Sequence, residues 1–200
     1  MLRRSLALAF VALLAACGGG GGISYKDVKI VALAFPDMVT ALANGSVDMA
    51  GPIEPFATQA ESRGIGHIWK RTDELQPGHE LGVLIYSADF AKKTDAARRF
   101  MLAYLKAARE YNDAFDKKNA SKRADIVKIL GANTTVKDAA LYDQMVMPGI
   151  DPNGALNKQS LKDDQDWFLQ NGFQKQKSDL DKDADESFAK WATQRLGAYR

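Results

Sequence analysis

The sequence predicts an α/β protein that turns helix-rich towards its C-terminus, and three observations carry that expectation. Short β-branched runs alternate with short helical patterns over roughly the first third of the folded part. Turn signals built on Asn-Gly, Pro-Gly and single glycines separate them. Beyond residue 89 the apolar spacing changes to three and four residues, the helical period.

The elements follow in order. Val28 to Leu33 is β-branched and bounded by Asp27 and Pro36, which reads as a strand. Pro36-Asp37 opens a helix from Met38 to Ala43, stopped by Asn44-Gly45, since both residues accept a left-handed backbone. Val47 to Ala50 reads as a short buried strand, Pro52 to Ser62 as a helix closed by Gly64, and Ile65 to Lys70 as a strand. That order implies parallel strands joined by crossovers. The polar link Arg71 to His79, with Pro77-Gly78, is the expected hinge, and Glu80 to Ser87 reads as a return strand. A long helix is expected from Asp95 to Phe115, with Phe100, Tyr104, Ala107 or Ala108, Tyr111 and Phe115 on its core face. Further helices are expected from Ser121 to Leu130 (stopped by Gly131), Ala139 to Met145, Ser160 to about Leu169 (closed by Asn171-Gly172) and Ala184 to Leu196 (ending at Gly197).

The N-terminus carries its own signal. Arg3 and Arg4 precede an apolar run from Leu6 to Leu14, the layout of a secretory signal peptide over residues 1–16 and too short to span a membrane as a mature helix. The run ends in Leu14-Ala15-Ala16-Cys17, which resembles a bacterial lipobox. That resemblance implies lipidation of Cys17, anchoring to the membrane and an extracytoplasmic location, periplasmic in a Gram-negative cell. Gly18 to Gly22 then form a tether, giving 17–23 as lipidated Cys and linker, 24–78 as an α/β part, and 79–200 as the return strand with the helical region.

Composition narrows the chemistry. Lys+Arg exceed Asp+Glu by two over 200 residues, and loss of a leader containing Arg3 and Arg4 leaves the balance at zero. A neutral chain lacks the basic face that releases counterions, so no nucleic-acid partner is expected. The single Cys excludes a disulfide framework or a multi-thiolate zinc site. His67 and His79 are twelve residues apart without a partnering ligand, so no metal is expected. The carboxylates between Asp163 and Glu186 lack the order of a calcium loop and alternate with lysines as a solvated face would. No nucleophile elbow, phosphate loop or dinucleotide fingerprint is present, so neither a cofactor nor a catalytic residue is expected.

The informative stretch is Ala41 to Phe56. A helix ends on Asn-Gly, an apolar run follows, and Pro52 and Glu54 lead into the next helix. Ligands of open α/β sheets sit at such carboxyl ends, where free N–H groups favour anions. Glu54 has two readings there: acceptor for a ligand's N–H or O–H, or partner of the helix dipole.

Leu42-Ala43-Asn44-Gly45-Ser46-Val47-Asp48 with Glu54-Pro55-Phe56 resembles the signature of solute-binding lipoproteins of ABC importers. The subgroup is the NMT1/THI5-like one, serving nitrate, sulfonates, taurine and thiamine pyrimidine precursors. Tyr86 to Phe90, Asp95 to Tyr104, and Asn171-Gly172 with Asp179 to Gly197 extend the likeness to about Tyr25–Arg200. The resemblance implies a periplasmic-binding-protein type II-like fold, a small-molecule ligand, and an ABC permease and ATPase as partners. It implies Gly51, Pro52, Glu54 and Phe56 as ligand-binding residues. Two lobes of such a receptor need about 300 residues, so only the late second lobe plus the C-terminal helical part is expected, without the first-lobe N-terminal portion. Two alternatives stand beside a receptor: a lipid-anchored interaction or structural module of the same ancestry, and an enzyme. The same fold serves fungal thiamine-pyrimidine synthases, but their cysteine-rich motif is missing here. An isolated monomer is expected to be marginal or to self-associate, because helices such as 95–115 would expose an uncovered face.

Overall fold

The computed structural model describes residues 24–199. The expected leader, Cys17 and the glycine tether lie outside the described residues. Two compact units divide at Ala34 and Phe35.

In the first unit a short 3-10 turn, Tyr25–Asp27, is capped by Ser24, whose Oγ accepts from Lys26 N at 3.3 Å. Residues 28–34 then run extended, with Val28, Ile30 and Val31 exposed.

The second unit is helical. Its helices are α1 (Phe35–Ala43), α2 (Phe56–Ser62), α3 (Thr72–Leu75), α4 (Ala88–Lys92), α5 (Thr94–Phe115), α6 (Ala120–Asn133), α7 (Leu141–Gln144), α8 (Lys158–Gln170), α9 (Leu180–Asp183) and α10 (Ser187–Leu196). Among the described residues there is no strand, which overturns the α/β, periplasmic-binding-protein type II-like expectation. Its four strand segments, 28–33, 47–50, 65–70 and 80–87, are present as extended or bent chain, and among the described residues none of them forms a strand ladder. β-branched residues favour extended backbone locally, but a sheet exists only when a second segment supplies the ladder. Here Met49, Trp69, Leu81, Val83, Leu84 and Ile85 stay exposed instead of covering one another.

The core lies where α5 meets α10 and α6. Its centre is Leu105, fully buried, with Ala97, Ala108 and Ala114 from the same helix and Ala189 and Ala192 from α10. Small side chains from both helices meet there, and of the aromatic face expected for α5, Tyr104 and Phe115 are half-buried. Tyr111 is buried, but Phe100 is exposed at the edge. Gly154 passes over this contact with φ +69, and a Cβ there would meet Leu105 and Ala189 at 3.1 Å. Arg109 binds the far end of α10, donating from Nη2 to Gly197 O at 2.9 Å and from Nε to Pro152 O at 3.0 Å. A cation at a helix C-terminus complements the unpaired carbonyls. Asn112 stays buried because its Nδ2 donates to Ala108 O and Ile150 O.

Most helix ends obey local rules. Gly45, Gly64, Gly172 and Gly197 all have positive φ just past α1, α2, α8 and α10. Asn119, Asn157 and Ser87 cap α6, α8 and α4. Gly131 does not stop α6, which runs on to Asn133 because Lys137 Nζ donates to the carbonyls of Gly131 and Ala132.

The link expected as a hinge ends in a polar staple onto the start of α8. Glu80 N donates to Ser160 Oγ at 2.9 Å, Asn157 N to Glu80 Oε2 at 2.8 Å, and His79 Nε2–H to the Asp164 carboxylate at 3.0 Å.

Candidate functional site

The candidate site is the turn between α1 and α2. α1 ends when Gly45 N donates to Leu42 O and Ser46 N to Ala41 O, and Asn44 Oδ1 holds Ser46 N at 3.0 Å. Val39 and Ala41 on one helix and Thr58 and Ala60 on the other are buried where α1 and α2 pack. This pair presents residues 47–55 as a loop.

Pro52 and Glu54 are half-buried in that loop, Phe56 is half-buried at the start of α2, and Gly51 is exposed. A Cβ on Gly51 would meet nothing within 4 Å, so its lack of a side chain leaves open space and relieves no clash. The structure therefore brings the four sequence-predicted residues onto one turn, at the mouth of α2.

The hydrogen bonds at that mouth decide its chemistry. Phe56 N and Ala57 N both donate to Ile53 O, at 2.9 and 3.3 Å. Thr58 N donates to Glu54 Oε2 at 3.1 Å, and Gln59 N to Pro55 O at 2.9 Å. The first four N–H groups of α2, which a helix normally leaves free, are thus all satisfied. Thr58 Oγ adds a bond to Glu54 Oε1 at 2.8 Å. Both Glu54 oxygens thus accept from Thr58, and each retains acceptor capacity for a further donor. An anion has no N–H to bind here and would face a carboxylate. A ligand carrying N–H groups finds an acceptor, with the Phe56 ring two residues on.

Thr58 was not among the residues singled out in the sequence. Its signal is local, a Thr four residues after a Glu at the start of a helix, the distance at which one turn brings side chains together.

A second concavity lies by α4. Leu84, Ile85, Tyr86, Ser87, Phe90 and Phe100 line an open depression of about 440 Å³. Tyr86 packs edge-on against Phe90, Phe100 and Phe188, with centroids 5.0 to 5.9 Å apart. Its hydroxyl donates to Ala97 O at 2.9 Å, so the polar atom is used in holding the ring on α5. Nothing in sequence spacing gathers these four rings, which come from three helices and the extended run.

Among the described residues no group of three or more His, Cys, Asp or Glu side chains is placed to hold a metal ion. None of their helices is long and apolar enough to cross a membrane. His79 is taken up by Asp164, and His67 lies exposed in an extended run.

The model of the NMT1-like family matches residues 8–130. That span is more than half of the chain and contains the whole α1–α2 turn. The chain belongs to the NMT1-like family. Members of this family are substrate-binding proteins of ABC transporters and not enzymes. Neither the curated proteins nor the solved structures offer a match. The match ends at Leu130 in α6, so α7 to α10 lie beyond it.

Proposed function

We propose that this NMT1-like chain is an extracytoplasmic solute-binding component of an ABC importer, anchored through a lipid on Cys17, with its ligand contacts on the α1–α2 turn. Of the ligands of that subgroup, a nitrogen-containing compound that donates hydrogen bonds fits better than nitrate or a sulfonate. The observation that carries this choice is the occupied helix mouth: all four leading N–H groups of α2 are bonded, and the Glu54 carboxylate stands there instead. An aminopyrimidine, the chemistry of thiamine precursors, would donate to Glu54 and lie against Phe56.

The experiment is thermal unfolding of the full chain with millimolar aminopyrimidine, nitrate, taurine or an alkanesulfonate. A ligand at 1,000 times its Kd adds about 4 kcal/mol of stability, which raises Tm by several degrees in a domain of this size. The expected result is a rise with the aminopyrimidine that Glu54→Gln weakens. A rise with the anions alone would overturn the ligand choice. A cooperative transition that none of them moves would favour the alternative, a lipid-anchored interaction or structural module derived from such a receptor.

A further inference from the structure

Two arginines share the ring of Trp191. The guanidinium carbon of Arg195, one turn further along α10, lies 4.3 Å from the ring centroid, and that of Arg98 reaches it from α5 at 5.3 Å. Both distances fall inside the range in which an indole face holds a guanidinium. The core fixes the backbone of this group, because Ala97 beside Arg98 and Ala192 beside Trp191 are fully buried. Among the described residues, neither Arg98 nor Arg195 makes an ion pair or a hydrogen bond. Asp95, the acid nearest Arg98 in sequence, is taken by Arg99 at 3.1 Å. Glu186, the acid nearest Arg195, is taken by Lys158 and Lys190. The carbonyls that end α10, Leu196 O and Gly197 O, accept from Arg109, so Arg195 does not cap its own helix. The Trp191 Nε1–H also finds no acceptor among the described residues, and it is not shut away from solvent.

Three donors thus stand together with no acceptor, and two of them carry like charges. The guanidinium carbons can be no further apart than the two ring distances laid end to end, about 10 Å, which is one Debye length at 0.1 M salt. An anion relieves that repulsion. We infer that Arg98, Trp191 and Arg195 form a binding site for a phosphate group, free or at the head of a lipid. A phosphate monoester carries close to two negative charges at neutral pH and three acceptor oxygens. It matches the two guanidiniums in charge, accepts from one on each of two oxygens, and leaves the third for the indole N–H. Charge-assisted bonds of about 2.8 Å on both sides let one phosphate span the pair. A single carboxylate brings one charge and two oxygens, which one guanidinium fork already satisfies. The site shares no residue with the α1–α2 turn, so it stands or falls apart from solute binding there.

The test is isothermal titration calorimetry of the full chain at about pH 8, where a phosphate monoester is doubly charged. Two probes distinguish the sources: inorganic phosphate, and phosphatidylcholine vesicles containing phosphatidic acid. Vesicles of phosphatidylcholine alone are the blank, and the leader and Cys17 are common to every variant. The expected result is saturable binding of inorganic phosphate, of the phosphatidic acid vesicles, or of both, and the probe that binds names the source. Arg98→Gln and Arg195→Gln should each weaken it about tenfold or more, the loss of one charge-assisted contact. Trp191→Phe keeps a ring face but removes the N–H donor, and should weaken binding by a smaller factor. Arg63→Gln, at another exposed arginine just past α2, should change nothing. Arg98 and Arg195 are exposed, and an unchanged helical circular dichroism spectrum confirms that the core persists in their variants. Acetate should bind about tenfold more weakly than phosphate. Binding of neither probe, binding that survives both Arg→Gln changes, an equal loss with Arg63→Gln, or acetate as tight as phosphate would each overturn the assignment.

Discussion

Residues 35–87 and residues 88–199 of the same unit solve the burial of apolar side chains differently. In the C-terminal part, helices α5, α6 and α10 hide Leu105, Ala97, Ala108, Ala114 and Ala192. Polar groups there are matched too, as in Asn112 and Arg109. In the N-terminal part only the α1–α2 contact buries anything substantial, and Met49, Trp69, Leu81 and Ile85 face outward. The lesson concerns the range of the interactions each part needs. A helix satisfies its backbone within itself, so amphipathic helices need only meet face to face. Extended segments need a partner strand for the backbone as well as a face for the side chains.

Substitutions can break this comparison, beginning with the largest effect. Leu105→Ala removes the centre of the helical core and is expected to cost about 2–5 kcal/mol, read by chemical denaturation. Ile85→Ser, of an equally apolar but exposed residue, is expected to stay within about 0.5 kcal/mol at concentrations where the chain is monomeric. Equal effects at the two positions would erase the contrast. Gly154→Ala places a Cβ 3.1 Å from Leu105 and Ala189 at a left-handed backbone position. It is expected to cost about 1–3 kcal/mol and to perturb the α5–α10 contact. Glu54→Ala leaves Thr58 N without its acceptor at the start of α2, a loss of about 1 kcal/mol confined to the α1–α2 pair.

The smallest expected effect sharpens the comparison through pH. Hydrogen bonds from Lys122, then from Lys117 and Tyr199, hold the Asp113 carboxyl well below its ordinary value of 3.8. A lowered folded-state value means that Asp113 stabilises the fold above its unfolded-state value. That contribution fades as pH falls below about 4, towards the lower folded-state value. Acid titration of Tm should therefore show a decline below pH 4 that Asp113→Asn reduces. Because Asp113 lies on α5, the change should register in the helical part.

Much of the helical half was legible in the sequence because its signals are local. Asn44-Gly45, Asn171-Gly172 and Gly197 mark real helix ends, and the run Asp95 to Phe115 falls within one residue of α5. The failures were non-local. Gly131 reads as a stop until Lys137, six residues on, supplies donors to the final turn of α6. Phe100 reads as core by its spacing, but it is 47% exposed and packs instead beside Tyr86 and Phe90, which come from outside α5. The strands fail most completely, since Val, Ile and Leu in Leu81 to Tyr86 specify an extended backbone and say nothing of what pairs with it. At the candidate site the turn and Glu54 were visible, but the occupancy of every leading N–H of α2 was not, because Ile53 O and Pro55 O reach them only after the turn folds.

The contrast between a self-sufficient helical core and unpaired extended segments is tested most directly by native-state hydrogen exchange of the full chain over a range of protein concentrations. Amides of α5 between Leu102 and Asn112 should be strongly protected at every concentration. Those of residues 81–86 should exchange freely when the chain is dilute. Protection of 81–86 equal to that of α5 at the highest dilution would contradict the account, because it would mean that these segments already pair within one chain.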